Sequence, residues 1–327
     1  MNIRVSAIVV AFGADELLRT SLRALETALD NIQASTEMLV VLNGVSDNMR
    51  RELETRAASV PALRLIEPGR NLGFAGGVAA ALEHARGEWI AVFNDDTVVE
   101  PDALVELLKA GASSAEVGAV APKILFTAPG DVINSAGIEI DDLGVAYERL
   151  LGEPSAAGEN QVVDVFGASG AGALYRRAML DDVGGFDTSF FAYLEDADLA
   201  WRARADGWRA LYAPQAIVHH HHSETLGHRS ARKHYLVGRN RVRMLAKNAS
   251  SRHLLRRWLR IILYDLSYVI YAAVRSRTLA PLRGRLRGLA EWRSYRTTRA
   301  RRRRGIDLPP SRGIRGALRR DRLYDAT

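Results

Sequence analysis

The stretch of sequence that decides the fold reads Trp89-Ile90-Ala91-Val92-Phe93-Asn94-Asp95-Asp96. Five apolar residues lead into two adjacent carboxylates, a pattern typical of a buried strand that ends at a binding cleft. Ligands in open α/β sheets bind beyond the carboxyl ends of the strands. Asp95 and Asp96 would there offer the oxygen ligands that Mg²⁺ or Mn²⁺ requires. A solvated turn whose aspartate caps the next helix would give the same short pattern.

Around this strand, short apolar runs alternate with segments of helical spacing. The predicted strands are residues 5–12, 37–42, 63–67 and 88–93, and the predicted helices are residues 16–30, 47–59, 75–85 and 103–111. This alternation predicts an α/β fold with a Rossmann-like, mostly parallel sheet covered by helices. Residues 129–164 are rich in Gly, Asp and Pro, and we expect a loop-rich connection there.

The charge is divided unevenly along the chain. Residues 229–327 contain 28 Lys/Arg and 5 Asp/Glu, whereas residues 1–228 contain 17 and 33, so the net charges are +23 and −16. We therefore expect a catalytic domain over residues 1–228, with a nucleotide-binding half (1–125) and an acceptor and catalytic half (126–228). Residues 229–327 are expected to form a helical, Arg-rich extension that meets an anionic partner, although a solvated basic tail would have the same composition.

A second group of acids occurs at Glu195-Asp196-Ala197-Asp198. On a helix that begins near Glu195, Asp198 and Arg202 are four residues apart and can pair, while Glu195 and Asp196 lie in the first turn. A carboxylate that faces a cleft there can act as a general base on an acceptor hydroxyl. The alternative is that these acids only cap the helix.

A third feature is the apolar run that ends in four histidines, His219 to His222. The chain has no cysteine, so any metal ion must be bound by oxygen or imidazole ligands. One of these histidines can supply an imidazole, although a surface run of histidines would look the same.

The order of these motifs resembles glycosyltransferase family two, and more narrowly its bacterial rhamnosyltransferase-like branch. The resemblance spans about residues 3–245 and rests on Val9-Val10-Ala11-Phe12, Leu42-Asn43-Gly44-Val45-Ser46-Asp47, Asn71-Leu72-Gly73-Phe74-Ala75-Gly76-Gly77, Asn94-Asp95-Asp96-Thr97, Gly185-Phe186-Asp187, Glu195-Asp196-Ala197-Asp198 and His220. It implies the A-type glycosyltransferase fold and an inverting transfer of a sugar from a nucleotide-diphosphate donor. The acceptor would be a polysaccharide or lipid-linked glycan of the cell envelope.

The resemblance also implies roles for individual residues. Asp196 falls on the catalytic-base segment, with Glu195 as the alternative, and Asp96 and His220 fall on the positions that bind Mg²⁺ or Mn²⁺. The implied nucleotide-sugar site consists of Ala11, Phe12, Asn43, Gly44, Asp47, Asn71, Gly73, Phe74, Gly76, Asn94 and Asp95. Acceptor-side residues are expected at Gly170, Ala171, Gly185, Phe186 and Asp187.

One departure from the family pattern concerns the nucleotide base. The family usually has an acid where this chain has Leu42. An apolar side chain cannot accept a hydrogen bond from the base, so recognition would pass to neighbours such as Asn43 or to backbone groups. The branch resemblance favours dTDP-rhamnose as the donor, followed by UDP-galactofuranose and other UDP-sugars.

The sequence is also compatible with two other functions. A nucleotidyltransferase would also combine a nucleotide-binding sheet with metal-binding carboxylates, but the turn after strand 1, Gly13-Ala14-Asp15-Glu16, is acidic and has one glycine. A nucleic-acid-binding protein would use the basic tail, yet carboxylates repel phosphate, so this function leaves both acidic pairs unexplained.

The C-terminal extension contains a strongly apolar segment, residues 258–274. It is shorter than the roughly 20 residues that span a bilayer. Its helical spacing favours an amphipathic helix that lies in the membrane interface, with the following arginines on anionic headgroups. Because no signal-like segment precedes the first strand, we expect a cytoplasmic enzyme, peripheral on the inner face of the membrane. The alternative is that the apolar face packs on the catalytic domain.

Overall fold

A mixed, largely parallel sheet forms the centre of the computed structural model. The structure describes residues 3–13, 15–128, 130–221, 230–297, 306–311 and 313. The strands are β1 Val5–Ala11, β2 Thr36–Leu42, β3 Leu63–Ile66, β4 Trp89–Asn94, β5 Thr97–Val99, β6 Val117–Phe126, β7 Ile133–Ser135, β8 Ile138–Ile140, β9 Ala146–Glu148, β10 Val163–Val165, β11 Gly172–Arg176 and β12 Arg209–His220.

Helices cover both faces of this sheet and follow it at the C-terminal end. The α-helices are α1 Asp15–Asp30, α2 Asp47–Ser59, α3 Gly73–Leu82, α4 Ala103–Gly111, α5 Arg177–Val183, α6 Glu195–Ala205, α7 Ala231–Asn248, α8 Ser251–Arg275, α9 Ala280–Ala290 and α10 Trp292–Thr297. Short 3₁₀ turns are found at Ser155–Ala157 and Thr188–Phe190.

The strand order explains why residues 89–93 are all apolar. The order is β10-β12-β6-β11-β4-β1-β2-β3, with β5 beside β12 and β7 beside β6. β4 is parallel to β1 and antiparallel to β11. Trp89 and Phe93 face one apolar layer and Ile90 faces the other. A strand that is covered on both faces carries a continuous apolar run.

The predicted α/β fold is confirmed, and its first half lies close to the predicted boundaries. α2 and α4 have the predicted limits, and the first four predicted strands differ by one or two residues from β1 to β4. Residues 129–164 are largely loop, as expected, but they also contain β7, β8, β9 and the start of β10, and no strand was predicted at β6 or β11. These strands are short or irregular, and their pairing depends on distant partners.

The C-terminal helices pack tightly on one another. A Cβ on Gly284 of α9 would lie 2.1 Å from the carbonyl oxygen of Tyr235 on α7, so the glycine allows the two backbones to approach. An ion cluster joins three helices, because Asp265 of α8 accepts hydrogen bonds from Arg241 of α7 at 2.8 Å and from Arg285 of α9 at 2.9 Å. Across the described ranges, no helix has the length and apolarity needed to cross a membrane.

Candidate active site

The first corner of the site lies where β4 ends beside β12. Because His220 is paired with Thr97, the end of β12 brings the imidazole against the second carboxylate. His220 Nε2 is 3.1 Å from Asp96 Oδ1, and His220 Nδ1 is 3.0 Å from Asn134 Oδ1. A carbonyl oxygen only accepts, so the ring nitrogen Nδ1 carries a proton, and Nε2 is the ring nitrogen that faces Asp96.

This corner fits a divalent ion that is held partly by a substrate. Mg²⁺ at nucleotide sites is commonly bound by one or two carboxylates together with substrate phosphates. Within the described residues there is no group of three or more His, Asp or Glu side chains arranged for a metal. Asp96 and His220 would therefore supply the protein ligands, and the amide of Asn134 fixes the orientation of the imidazole.

Asp95 has a different role from its neighbour. Its Oδ2 accepts a hydrogen bond from the backbone N–H of Phe12 at 2.6 Å, so it ties the end of β4 to the end of β1. Burial raises the pKa of Asp95 to about 7, and the charge of Asp96 adds to this increase. The hydrogen bond from the Phe12 N–H acts in the opposite direction and lowers the pKa. The side chain thus stabilises the turn that carries Asp96.

The opposite wall is formed by the N-terminus of α3 and the end of β2. The Asn43 side chain accepts a hydrogen bond from the Leu72 N–H at 2.7 Å and donates to Asn71 Oδ1 at 3.2 Å. Gly73 has a φ of +71°, and a Cβ there would lie 2.2 Å from the carbonyl oxygen of Phe191. The amide of Asn43 therefore holds the turn before α3.

The two acids at the start of α6 differ in their hydrogen bonds. Asp196 Oδ2 accepts from the Gly170 N–H at 2.8 Å, and its Oδ1 accepts from the Ala197 N–H at 2.7 Å. Glu195 Oε2 is buried without a hydrogen-bond partner among the described residues. Burial and the charge of Asp196 raise the pKa of Glu195 to about 8, and burial also raises the pKa of Asp196. Because the N–H donors favour ionised Asp196, the proton of the pair belongs on Glu195.

The segment before α6 is strained. Phe191, Tyr193 and Leu194 all have positive φ, of 66°, 71° and 67°, which non-glycine residues rarely adopt. The fully buried amide of Asn240 on α7 donates to the carbonyl oxygens of Phe190, Ala192 and Tyr193 at 2.8 to 2.9 Å. Strain of this kind persists only where surrounding contacts fix it. α7 thus determines where the two acids lie.

Behind the acids, a buried charge cluster fastens α6 to α7. Asp198 is bonded to Arg202 at 2.8 Å, as the four-residue spacing predicted, and also to Lys247 at 2.9 Å and Asn248 at 2.7 Å. Burial alone would raise the pKa of Asp198, but the charges of Arg202 and Lys247 outweigh it and lower the pKa to about 2. This acid is structural.

One cavity of about 410 Å³ connects these features. Most of the predicted site residues line it, namely Phe12, Asn43, Asn71, Gly73, Phe74, Asn94, Asp95, Asp96, Gly170, Ala171, Glu195, Asp196 and His220. A volume of this size accommodates a small-molecule ligand. Asp96 and His220, called here the metal corner, therefore line the same cavity as the acid pair Glu195 and Asp196.

Seven predicted site residues are not in the cavity lining. Ala11 is buried in β1, Gly44 turns beneath the Phe12 ring, Asp47 is exposed on α2, and Gly76 packs on Leu72. Gly185 accepts a hydrogen bond from Arg202, and Phe186 packs edge-on against Tyr175. Asp187, also outside the lining, caps a 3₁₀ turn and binds Lys247 at 2.6 Å. The Gly185 to Asp187 motif therefore supports α6 and α7 and does not touch the cavity.

Several cavity residues gave no recognisable signal in the sequence. They are Tyr147 and Glu148 from β9, Arg232, Lys233, His234 and Arg241 from α7, Tyr264 and Tyr268 from α8, and Arg285 from α9. The predicted extension therefore forms part of the cavity wall. Only long-range packing brings these helices to the site, which is why spacing along the chain did not indicate them.

Comparison with known proteins agrees with this geometry. The model of the family described as "Glycosyltransferase like family 2" matches residues 3–235. The chain belongs to glycosyltransferase family 2. It is 30% identical over 235 residues to the N-acetylglucosaminyl-diphospho-decaprenol L-rhamnosyltransferase of Mycobacterium tuberculosis, across 62% of this chain and 73% of the relative. This similarity places the chain in the rhamnosyltransferase-like branch. It is also 24% identical to the poly-beta-1,6-N-acetyl-D-glucosamine synthase of Staphylococcus aureus, across 62% of this chain and 48% of that protein.

Solved structures with the same fold support the A-type glycosyltransferase architecture. GalNAc-T7 with UDP, GalNAc and Mn²⁺ superposes with a TM-score of 0.60 at 12% identity, covering 75% of this chain and 48% of its own. The mannosyltransferase of Pyrobaculum calidifontis with GDP-Man and Mn²⁺ has a TM-score of 0.55 at 20% identity, covering 91% of this chain and 84% of its own. Family membership favours sugar transfer over nucleotidyl transfer and over nucleic-acid binding.

Proposed function

We propose that this family-2 enzyme is an inverting, metal-dependent transferase that moves rhamnose from dTDP-rhamnose, or another sugar from UDP, to an acceptor. The acceptor would be a polysaccharide or lipid-linked glycan in cell-envelope synthesis. The observation that carries the proposal is the pair Glu195 and Asp196 in one cavity with Asp96 and His220. The relative in Mycobacterium tuberculosis, whose name specifies a rhamnosyltransferase acting on a diphospho-decaprenol sugar, supports the choice of sugar and acceptor.

Asp196 is proposed as the general base. Two backbone N–H donors stabilise its charge, whereas Glu195 keeps a proton at neutral pH. A base with a pKa raised by burial is better matched to neutral pH than an ordinary carboxylate. Asp196 would remove the proton from the acceptor hydroxyl as its oxygen attacks the anomeric carbon. The sugar–phosphate bond then breaks on the opposite face, and the nucleoside diphosphate leaves with the bonding electrons.

Asp96 and His220 would hold Mg²⁺ or Mn²⁺. When bound, such an ion offsets the negative charge that develops on a diphosphate leaving group. The residues of this chain supply one carboxylate and one imidazole, and Asn134 sets the ring orientation. Asp95 stabilises the turn through Phe12.

The donor nucleotide is proposed to lie along Phe12, Asn43, Asn71, Gly73 and Phe74. The Asn43 amide is engaged in the turn before α3, so backbone groups rather than this side chain are the proposed contacts for the base. Leu42 is buried at the end of β2 and cannot replace the missing acid. This arrangement is compatible with either thymine or uracil.

The C-terminal helices are proposed to hold the enzyme on the inner face of the cell membrane. Eight large apolar side chains of α8 are exposed, namely Leu255, Trp258, Leu259, Ile262, Leu263, Leu266, Ile270 and Val274. Asp265 points away from this face into the ion cluster with Arg241 and Arg285. A helix with one apolar face and nearby arginines suits an anionic membrane surface. Of the arginines from 275 to 304, those at 299 and 301–304 lie outside the described residues.

A panel of nucleotide sugars tests the proposed reaction. Transfer from dTDP-rhamnose, UDP-galactofuranose and other UDP-sugars would be followed by NMR in Mg²⁺ or Mn²⁺, with an N-acetylglucosamine acceptor. We expect one preferred donor and a product whose anomeric configuration is opposite to that of the donor. A product that retains the configuration would contradict the inverting mechanism. If none of the sugar donors is hydrolysed or transferred, the proposed function is contradicted.

A further inference from the structure

One part of the cavity lining is basic. Arg232, Lys233, Arg241 and Arg285 all line it, and they come from α7 and α9. Asp265 pairs with both Arg241 and Arg285, and among the described residues of this cluster the four cations outnumber this acid. The cluster therefore keeps a net positive charge, in a cavity whose other walls carry Asp95, Asp96, Glu195 and Asp196. Basic and acidic side chains therefore line the one cavity where the reaction would occur.

Arg232 and Lys233 lie at an electrostatically unusual position. They occupy the first turn of α7, where Ser230 caps the helix by accepting the Lys233 N–H. The N-terminus of a helix already carries partial positive charge, so cations there are unfavourable unless an anion is bound. A helix N-terminus with two added cations suits phosphate groups.

Ring contacts place these two cations beside the acid pair. The Arg232 guanidinium lies 5.1 Å from the centre of the Phe191 ring, and the Lys233 ammonium lies 5.3 Å from the centre of the Tyr193 ring. Phe191 and Tyr193 belong to the strained segment that leads into Glu195. An anion bound by the two cations would therefore be close to a sugar whose hydroxyl reaches Asp196.

The same region connects the cavity with the apolar surface of α8. Tyr264 and Tyr268 of α8 line the cavity on one side, while Leu263, Leu266 and Ile270 are exposed on the other. One helix, about 10 Å across, therefore separates a basic cavity from an apolar surface. This order, from acid pair to cations to apolar face, matches a sugar, a diphosphate and a lipid chain in sequence.

We propose that Arg232 and Lys233, with Arg241 and Arg285 behind them, form the binding site for the diphosphate of a lipid-linked acceptor. The inference rests on the proposed transfer to such an acceptor and assigns the residues that recognise it. The donor diphosphate would instead lie at the Asp96 and His220 corner. The two diphosphates would thus be bound on opposite sides of Asp196.

Two acceptors with the same sugar and the same short prenyl chain test this site. In one, N-acetylglucosamine is joined to the chain through a diphosphate; in the other, it is joined through an uncharged ether. We expect the wild-type enzyme to prefer the diphosphate acceptor at least about tenfold in kcat/KM, since hydrogen bonds between ionised groups are the stronger class. The Arg232→Gln, Lys233→Gln double variant should lose most of this preference and keep the donor KM within about twofold.

The control is Arg23→Gln, which removes one exposed charge from α1, remote from the cavity lining. It should behave as the wild type with both acceptors. A wild-type enzyme that transfers sugar equally to both acceptors would overturn this inference while leaving the proposed function intact. A double variant that loses both acceptors equally, with a raised donor KM, would assign the cations to the donor and also overturn it. If no donor supports transfer to either acceptor, the proposed function itself fails.

Discussion

Replacing Asn240 by alanine tests whether α7 positions the acids by fixing a strained backbone. The amide of Asn240 shares its two N–H hydrogens among three carbonyl oxygens, those of Phe190, Ala192 and Tyr193. A net contribution of about 1 kcal/mol for each hydrogen gives about 2 kcal/mol, with an added cost for carbonyls left unpaired. Each left-handed non-glycine residue stores about 1 to 3 kcal/mol. Loss of the amide therefore removes an amount comparable to the strain of one such residue.

We expect Asn240→Ala to lower kcat by roughly 30-fold to 200-fold, which corresponds to about 2 to 3 kcal/mol in the barrier. The donor KM should change only a few-fold, because Phe12, Asn71 and the metal corner are not altered. Initial rates would be measured well below the melting temperature of the variant. Rates would be normalised to the folded fraction of each variant, because loss of folded protein alone also lowers the apparent kcat and leaves KM unchanged.

Asn248→Ala is the matched control, because Asn248 lies on the same helix and donates to Asp198 at 2.7 Å. It should lower the melting temperature by a similar amount and keep kcat within about threefold. If Asn240→Ala has a normal kcat, the strained segment before α6 positions the two acids without the Asn240 amide, and the positioning argument fails. If both variants lose activity in proportion to their stability, Asn240 is merely structural and the positioning argument fails.

Three further outcomes follow from the same structure. Asp96→Ala should remove most activity in Mg²⁺ or Mn²⁺ and leave the melting temperature near that of the wild type, and full turnover in excess chelator would contradict the metal assignment. Glu195 has a folded-state pKa of about 8, above the 4.5 of a free side chain, so the folded protein keeps a proton that the unfolded chain releases between these values. Wild-type stability should therefore fall as pH rises from about 4.5 to 8. Melting curves of Glu195→Gln should fall less steeply over this range, where Asp95 and Asp196 with their raised pKa values still contribute, and parallel curves would contradict the raised pKa of Glu195. Changing Leu263 and Leu266 to Gln should weaken sedimentation with anionic vesicles and preserve activity on a soluble acceptor, whereas unchanged vesicle binding would show that this face does not meet the membrane.

The first four strands and the helices between them could be predicted because their signals are local. The apolar run from Trp89 to Phe93 predicts a buried strand. The carboxylates after it predict that this strand ends at a cleft. The start of α6 at Glu195 and the pairing of Asp198 with Arg202 followed from helical spacing. Such features depend on residues within one or two turns of each other.

The rest of the site depends on contacts that spacing along the chain does not encode. Asn134 reaches His220 from a strand 86 residues earlier, and Asn240 reaches Phe190 from a helix 50 residues later. The Gly185 to Asp187 motif was expected on the acceptor side, and its contacts with Arg202 and Lys247 place it behind α6 instead. The apolar face of α8 followed from its spacing, whereas the inward position of Tyr264 and Tyr268 required the packing of three helices.

The roles of the two acids in α6 provide the most direct test of the proposed mechanism. Transfer rates and donor affinities would be measured in parallel for the wild type, Asp196→Asn and Glu195→Gln, with the preferred donor and a soluble acceptor. We predict that Asp196→Asn lowers kcat by roughly 10² to 10⁴ and keeps the donor affinity within a few-fold, as expected for loss of a general base. Glu195→Gln should retain most activity, because glutamine resembles the protonated acid. An inactive Glu195→Gln beside an active Asp196→Asn would exchange the two roles, and full activity in both variants would contradict the assignment of the base to this pair.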